Sequence, residues 1–273
     1  MQAFIRSVLA AAILLLGAGC ASLPPAAAGD AASGFREVRN QPHYRVSVRD
    51  GTAAWPTPPL FRLPMVEVAS DALDTAISPA QGGVVATHAA RTVCLALAPW
   101  LKWTSADEGG RVALQVRRVA ASSSGLAATS AVIDAVVPGP FRLPAGLGAL
   151  RVDTRIEDGA GAALLELQWE RGANPLLHRA RASSIGDAWE LAPSHARDLE
   201  EVLAPLKLAK QAEPVRKANI ATCEQRFGRV SVAGRAASMF VPLSPEAIDP
   251  SDDAPRTAPQ PQPQPQPQPN PGP

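Results

Sequence analysis

ALRVDTRIEDGAGAALLELQWE, residues 149–170, contains the strongest hairpin pattern in this chain. Two alternating segments flank a turn-forming DGAG, residues 158–161. The positions of one phase are mainly apolar: Leu150, Val152, Thr154 and Ile156 before the turn, and Leu165, Leu167 and Trp169 after it. Because successive side chains on a strand point to opposite faces, this pattern predicts an antiparallel hairpin with one buried face.

Two amphipathic helices are predicted to cover that face. The first has Ser78 as its N-cap, Pro79 as its first residue and Gln81 completing a capping box. Its apolar stripe is Val85, Ala89, Val93, Ala96, Leu97 and Trp100. The second helix has apolar residues at spacings of three and four, namely Trp189, Ala192, Ala196, Leu199, Leu203 and Leu206. The predicted fold class is therefore α+β, a single domain in which helices pack on a mainly antiparallel sheet.

Three further strands are predicted from shorter patterns. They lie in HYRVSVRD, residues 43–50, in MVEVA, residues 65–69, and in RVALQV, residues 111–116. The proline-rich piece from Trp55 to Pro64 is predicted to be a loop. Because the first of these strands starts at residue 43, ordered structure is expected to begin near His43.

The N-terminus resembles a bacterial lipoprotein signal peptide. Arg6 precedes an apolar run from Ser7 to Leu16, and small residues then lead to Cys20. The run is too short for a transmembrane helix, which needs about 20 apolar residues. Gly17 departs from the usual leucine of this signal. The resemblance implies cleavage before Cys20 and acylation of its thiol. Because no aspartate follows the cysteine, it also implies anchoring in the outer membrane, facing the periplasm.

The rest of the chain is predicted to have four parts. Residues 1–19 are the signal peptide, 20–42 a flexible tether, 43–210 the α+β domain and 211–245 a C-terminal extension. Residues 246–273 are predicted to be a disordered tail rich in proline and glutamine. Its alternating Pro and Gln residues favour polyproline II and exclude a helix or a strand ladder.

The charge balance argues against nucleic acid as a partner. The full chain has 26 basic and 25 acidic residues. Removal of the signal peptide takes away only Arg6, which leaves 25 of each and a formal charge of zero. Capture of a phosphate backbone normally needs a basic excess or a basic patch, and we expect neither in this chain.

The cysteines are consistent with an exported protein. If Cys20 carries lipid, Cys94 and Cys223 remain as an even pair in an oxidising compartment. The two thiols either form a disulfide, or Cys94 is a small buried apolar residue and Cys223 is unpaired. The sequence leaves both alternatives open.

The order of elements resembles a family of uncharacterised proteobacterial lipoproteins, the domain of unknown function thirty-three thirteen. The resemblance covers roughly residues 43–206 and includes the hairpin and SSIGDAWELAPSHARDLEEVL, residues 183–203. In that family a Gly-Asp pair near a tryptophan opens the closing helix, here Gly186, Asp187 and Trp189. Pro193 departs from the pattern and is expected to interrupt that helix. The resemblance implies location and fold type, and no activity.

Candidate catalytic residues are few. The histidines, His43, His88, His178 and His195, have no local metal-ligand spacing, and no CxxC, GxSxG or glycine-rich phosphate loop occurs. Asp187 is predicted to cap its helix by complementing the helix dipole. We therefore predict no cofactor, no metal site and no catalytic residue.

The best candidate for a functional surface is the stretch from Val119 to Leu150, which contains only two charged residues. A loop so poor in charge packs on the core, on a partner or on lipid. The predicted interaction surface comprises Leu126, Val132, Ile133, Val136 and Phe141. The predicted function is that of a non-enzymatic outer-membrane lipoprotein. Its partner is an envelope protein, a lipid or a small ligand on the periplasmic side.

The alternative hypothesis is an envelope hydrolase with a site dispersed along the chain. The polar residues of the largest pocket distinguish the two. Converging His, Asp, Glu or Ser side chains favour the enzyme, whereas an apolar groove or a flat surface of low charge favours binding.

Overall fold

The structure, a computed structural model, describes residues 34–104, 109–122, 147–174, 183–230 and residue 245. The strands are β1 (Arg36–Gln41), β2 (Tyr44–Asp50), β3 (Leu60–Arg62), β4 (Met65–Val68), β5 (Lys102–Thr104), β6 (Arg111–Ala120), β7 (Ala149–Glu157) and β8 (Ala163–Gly172). The helices are α1 (Pro79–Leu97), α2 (Gly186–Leu203) and α3 (Glu213–Phe227), and a 3₁₀ turn (Ala204–Leu206) follows α2.

The predicted hairpin forms the centre of a six-stranded sheet. β7 and β8 pair antiparallel, and the strand order is β1-β2-β8-β7-β6-β4. Only the pairing of β4 with β6 is parallel in this sheet, and β3 and β5 form a separate parallel pair. The turn is closed by Asp158, whose Oδ1 accepts hydrogen bonds from the backbone N–H groups of Ala160 and Ala162 at 2.9 and 2.8 Å. The predicted α+β class is confirmed.

The three helices of the described residues lie on one side of the domain. α1 packs against α2 and α3, and α2 packs against β7 and β8. The capping box of α1 forms as predicted: the Ser78 hydroxyl accepts from the Gln81 N–H, and Gln81 Oε1 accepts from the Ser78 N–H at 3.0 Å. The largest fully buried side chains between sheet and helices include Trp169, Leu97, Leu150, Ile156, Leu165, Leu167, Leu191 and Leu199. Apolar burial on this side drives the fold.

The domain begins earlier than predicted. Residues 36–41, assigned to the tether 20–42, form strand β1 at the edge of the sheet, and residues 60–62 of the predicted loop form β3. All six residues of β1 are exposed. A strand with no buried face leaves no apolar alternation in its sequence, so the pattern could not reveal it.

The predicted C-terminal extension, residues 211–245, contains a helix that belongs to the domain. α3 packs on α1 and β5. The side-chain amide of Asn219 is buried. Its nitrogen donates to the backbone carbonyls of Ala98 and Leu101, and its oxygen accepts from the backbone N–H of Trp103. Cys94 on α1 and Cys223 on α3 form a disulfide, with 5.8 Å between their Cα atoms. The sequence analysis assigned α3 to an extension outside the domain because its apolar residues form no clear stripe.

Pro193 does not interrupt the closing helix, contrary to the prediction. α2 runs continuously from Gly186 to Leu203 with the proline inside it. Pro193 lies on the exposed side of the helix. The buried side, with Trp189, Leu191 and Leu199, packs on the core and holds the chain helical across the missing N–H.

None of the helices within the described residues has the length and apolarity that crossing a bilayer requires. Cys20 and the tail 246–273 lie outside the described residues, as does the predicted interaction surface, Leu126, Val132, Ile133, Val136 and Phe141.

Candidate functional site

The sheet has one face covered by helices and one face that no described helix covers. On the uncovered face the outward residues are mostly charged. We call this surface the arginine face and define it by Arg45, Ser47, Arg49, Met65, Glu67, Arg111, Ala113, Gln115, Arg117, Arg118, Arg151, Asp153, Arg155, Glu157, Glu166, Gln168 and Glu170. Their strand neighbours of opposite phase point to the helices and are mostly buried.

One half of the arginine face is organised by two glutamates. Glu166 pairs with Arg49 and also lies 3.3 Å from Arg155. Glu157 lies 2.6 Å from Arg155 and 2.5 Å from Arg111. Five side chains on four adjacent strands, β2, β8, β7 and β6, therefore form a continuous ion-pair chain across the sheet.

The other half is organised in the same way. Asp153 lies 2.8 Å from Arg117 and 3.8 Å from Arg151. Glu170 lies 3.4 Å from Arg118 and 3.9 Å from Arg45. Each of the four carboxylates is thus shared by two arginines, and seven arginines face four carboxylates on β2, β6, β7 and β8.

The arginines lie outermost in this network. The carboxylate side chains are only 6% (Glu157) to 23% (Asp153) exposed, whereas six of the seven arginine side chains are 33% to 50% exposed and Arg45 is 18% exposed. The four acceptors of the network are therefore covered by guanidinium groups. Two exposed carboxylates beside the network, Glu67 on β4 and Asp71, reduce the formal excess of three positive charges to one.

A β-bulge places two arginines side by side on this face. Val116 pairs with Val152 and Arg118 pairs with Arg151, so Arg117 is an additional residue between them. The bulge shifts the phase of β6, which turns both Arg117 and Arg118 outward. As a result Arg118 lies directly opposite Arg151, and like charges in such cross-strand pairs are destabilising. Asp153 and Glu170 offset part of this repulsion.

The arginine face contains two open depressions. One has a volume of about 490 Å³ and is lined by Phe35, Met65, Arg49, Arg111 and Arg155, among others. The second, of about 430 Å³, is lined by Arg45, Asp71, Arg117, Arg118, Arg151, Asp153, Gln168 and Glu170. Both are lined by Arg117, Asp153 and Gln168, so they form one continuous trough. Neither lining includes a histidine, a cysteine or a serine.

The histidines of the described core lie on the other side of the sheet. His195 is completely buried, its Nε2 shares a hydrogen bond of 2.9 Å with the Thr154 hydroxyl, and burial lowers its pKa to about 3. His88 stacks on Trp189 with 4.0 Å between ring centroids. Asp198 accepts a hydrogen bond from the Trp169 indole N–H at 2.6 Å. Burial raises the pKa of Tyr44, which also bonds to Asp198. These polar groups fasten α1 and α2 within the core.

Asp187 lies at the start of the closing helix, as predicted, and its side chain also has a second role. It lies in the first turn of α2, where its charge suits the helix dipole. Its carboxylate, however, accepts a hydrogen bond from the Gly148 N–H at 2.7 Å, and its own N–H donates to the Ser122 hydroxyl at 3.2 Å. A Cβ on Gly148 would lie only 2.9 Å from the Asp187 Cβ. Asp187 therefore holds the segment just before β7 against the start of α2.

Other sequence candidates are not brought together. His43 lies between β1 and β2, and His178 lies outside the described residues. Within the described parts of the chain, no group of three or more His, Cys, Asp or Glu residues could hold a metal ion. Sequence reasoning missed the arginine face, although one signal existed: the outward phases of the predicted strands contain arginine repeatedly, as in Arg45, Arg49, Arg111, Arg151 and Arg155.

Comparisons with known proteins give only a distant likeness. No family model matches the chain, and no curated protein matches its sequence. Among solved structures, the chain is similar to a variant PelC dodecamer from Paraburkholderia phytofirmans, with 15% identity and a TM-score of 0.37 over 62% of this chain and 99% of that one. A second PelC dodecamer from the same organism gives 16% identity and a TM-score of 0.35 with the same coverage. A likeness this low provides no argument about function.

Proposed function

We propose that this chain is a non-enzymatic lipoprotein, anchored in the outer membrane through Cys20, that binds a partner through the arginine face. The observation that supports the binding role is the layering of the ion-pair network. Seven arginines cover four shared carboxylates on a sheet face that no described helix covers. Arginine is well suited to interfaces because its planar group forms several directed hydrogen bonds.

By composition alone, the Asp and Glu side chains that converge in the trough would favour the alternative, an envelope hydrolase, but the pairing of most of them with arginines supports binding. General acid–base or nucleophilic catalysis places a nucleophile beside a base within hydrogen-bond reach. The trough is lined by arginines, carboxylates, glutamines, Thr154 and a few apolar residues. Three of its carboxylates, Asp153, Glu166 and Glu170, are held in ion pairs with arginines. This arrangement is neither the apolar groove nor the flat surface of low charge that we named from the sequence as favouring binding, and it supports a charged partner.

Two experiments test the proposal. Labelled palmitate should be incorporated into the wild-type chain and not into Cys20→Ser, and undiminished labelling of the variant would contradict lipid anchoring. A photo-crosslinking amino acid at Gln168, in the centre of the arginine face, should form envelope crosslinks in living cells.

The matched position is Lys217 on α3, which is exposed on the helical side. We expect crosslinks from position 168 and few from position 217, and we expect Arg117→Gln with Arg151→Gln to reduce those from position 168. Equal crosslinking from both positions would contradict the assignment of the binding surface.

A further inference from the structure

We infer that the partner of the arginine face is a phospholipid surface with anionic headgroups, in the same membrane that holds the lipid anchor. This inference rests on the proposed function and specifies the chemistry of its partner. It depends on three features of the described residues: the outward position of the arginines, the apolar side chains beside them, and the place where the chain enters the domain.

The first feature is charge complementarity with phosphate. After Glu67 and Asp71 are counted, the trough has a formal excess of one positive charge, and the four carboxylates of its ion-pair network are covered by arginines. Guanidinium groups form bidentate hydrogen bonds with phosphate oxygens. The like-charged pair of Arg118 and Arg151 would be relieved by an anion between them. An anionic headgroup layer supplies such groups at high density.

The second feature is the apolar rim of the trough. The side chain of Met65 is 46% exposed on β4. Phe35 lines the same depression, and the guanidinium of Arg49 lies 4.8 Å from the centre of the Phe35 ring. Apolar residues beside cationic residues are the composition of surfaces that lie in the bilayer interface, where phosphate meets the acyl region.

The third feature is the direction from which the chain arrives. Phe35 follows the proposed anchor residue Cys20 by 15 positions. A segment of that length spans at most about 50 Å when extended, so the edge strand β1 and the adjoining arginine face can reach the bilayer. An acyl anchor combined with a cationic patch holds a protein to a membrane more firmly than a single acyl chain does.

The expected strength follows from the charge near the membrane. Each arginine at an anionic surface improves binding by about fivefold. Removal of two arginines should therefore lower the ratio of docked to undocked domain by about 25-fold. At about 1 M salt, where the Debye length is about 3 Å, the effect should largely disappear.

A spin label at Met65 tests the inference in the full, acylated chain. Met65→Cys provides a single reactive thiol, because Cys94 and Cys223 are joined in a disulfide and Cys20 carries lipid. The protein is reconstituted into vesicles of phosphatidylcholine alone or mixed with phosphatidylglycerol. We expect the collision rate of a water-soluble nickel chelate with the label to be about fivefold or more lower on the anionic vesicles than on vesicles of phosphatidylcholine alone. A label at Lys217→Cys on α3 should be unaffected.

Paired variants separate charge from general damage. Arg117→Gln with Arg151→Gln should restore access of the chelate on anionic vesicles, as should high salt. Arg216→Gln with Arg229→Gln removes two arginines of α3 and its C-terminal end that are also ion-paired with glutamates, and it should leave the protection at Met65 unchanged. The salt series remains decisive if the first variant fails to fold.

The contrary results are distinct. Equal access on both kinds of vesicle overturns the inference, and so does protection that survives high salt. If the label at position 65 remains accessible to the chelate on anionic vesicles while position 168 still forms crosslinks in cells, the lipid inference is wrong and the proposed function stands. Loss of both the crosslinks and the protection contradicts the proposed function itself.

Discussion

At the scale of single residues, His195 shows how the core restricts titration. The imidazole is completely buried between α2 and the sheet, against the Thr154 hydroxyl and the edge of the Trp169 ring, whose centroid is 5.4 Å away. Burial penalises the charged form and lowers the pKa of His195 from 6.5 to about 3. The native protein therefore holds this ring neutral under conditions in which an exposed histidine would be protonated.

A pH dependence of stability follows from that burial. Between about pH 6.5 and pH 3 the unfolded chain binds a proton at His195 and the native state does not, so stability falls as pH falls. The contribution is fully present above about pH 6.5, and the loss is about 1 kcal/mol for each pH unit below it. Urea unfolding at about pH 7 and pH 5 measures the slope.

His195→Gln should reduce the change of the unfolding free energy with pH by the amount that uptake of one proton on unfolding contributes. An identical pH dependence for wild type and His195→Gln would show that His195 is not responsible.

At the scale of elements, the features that depend only on residues close together in the sequence could be predicted. The DGAG turn, the alternation from Leu150 to Trp169 and the capping box at Ser78 each depend on neighbouring residues, and all three form. β1 could not be read because an exposed edge strand has no apolar phase. β6 was predicted only to Val116 because the bulge at Arg117 breaks the alternation there, although the strand continues to Ala120.

The cap of α1 allows a direct test at this scale. Ser78→Ala removes the acceptor of the Gln81 N–H at the start of the helix. We expect the free energy of unfolding to fall by about 1 kcal/mol, as for other N-caps. Ser78→Asp retains an acceptor and should stay close to wild type. Equal losses in the two variants, measured by urea unfolding, would mean that the hydroxyl acts through something other than capping.

α3 depends on long-range contacts that no local pattern reports. Cys94 and Cys223 are completely buried and 129 residues apart in sequence. The chain-entropy account predicts that Cys94→Ala with Cys223→Ala lowers the free energy of unfolding by about 4 to 5 kcal/mol. Urea unfolding of the wild type with and without reductant should show a similar loss.

The thiol count provides the check on this disulfide. Denatured wild-type protein from oxidising conditions should contain no free thiol at positions 94 and 223, and Cys20→Ser should not change that result. Two reactive thiols at those positions would exclude the bridge.

At the scale of the whole molecule, the two faces of the sheet have different roles. The inner face is apolar and holds the helices, and its residues were largely predictable because burial enforces periodicity. The arginine face arises from β2, β4, β6, β7 and β8 together. Its ion-pair network depends on register across strands, such as Arg155 opposite Glu166 and Arg151 opposite Glu170. A single sequence does not specify which strands are neighbours, so the candidate surface could not be assembled from it.

The most direct measurement is an arginine footprint of the full chain in native cell envelopes and after extraction into detergent. The proposed function predicts that an arginine-selective reagent modifies Arg117, Arg118 and Arg151 several-fold more slowly in envelopes than in detergent. The arginines on the helical side, Arg216 and Arg229, should react at the same rate in both. Equal rates at the three face arginines, or protection confined to Arg216 and Arg229, would contradict the account that the arginine face is the surface by which this protein binds.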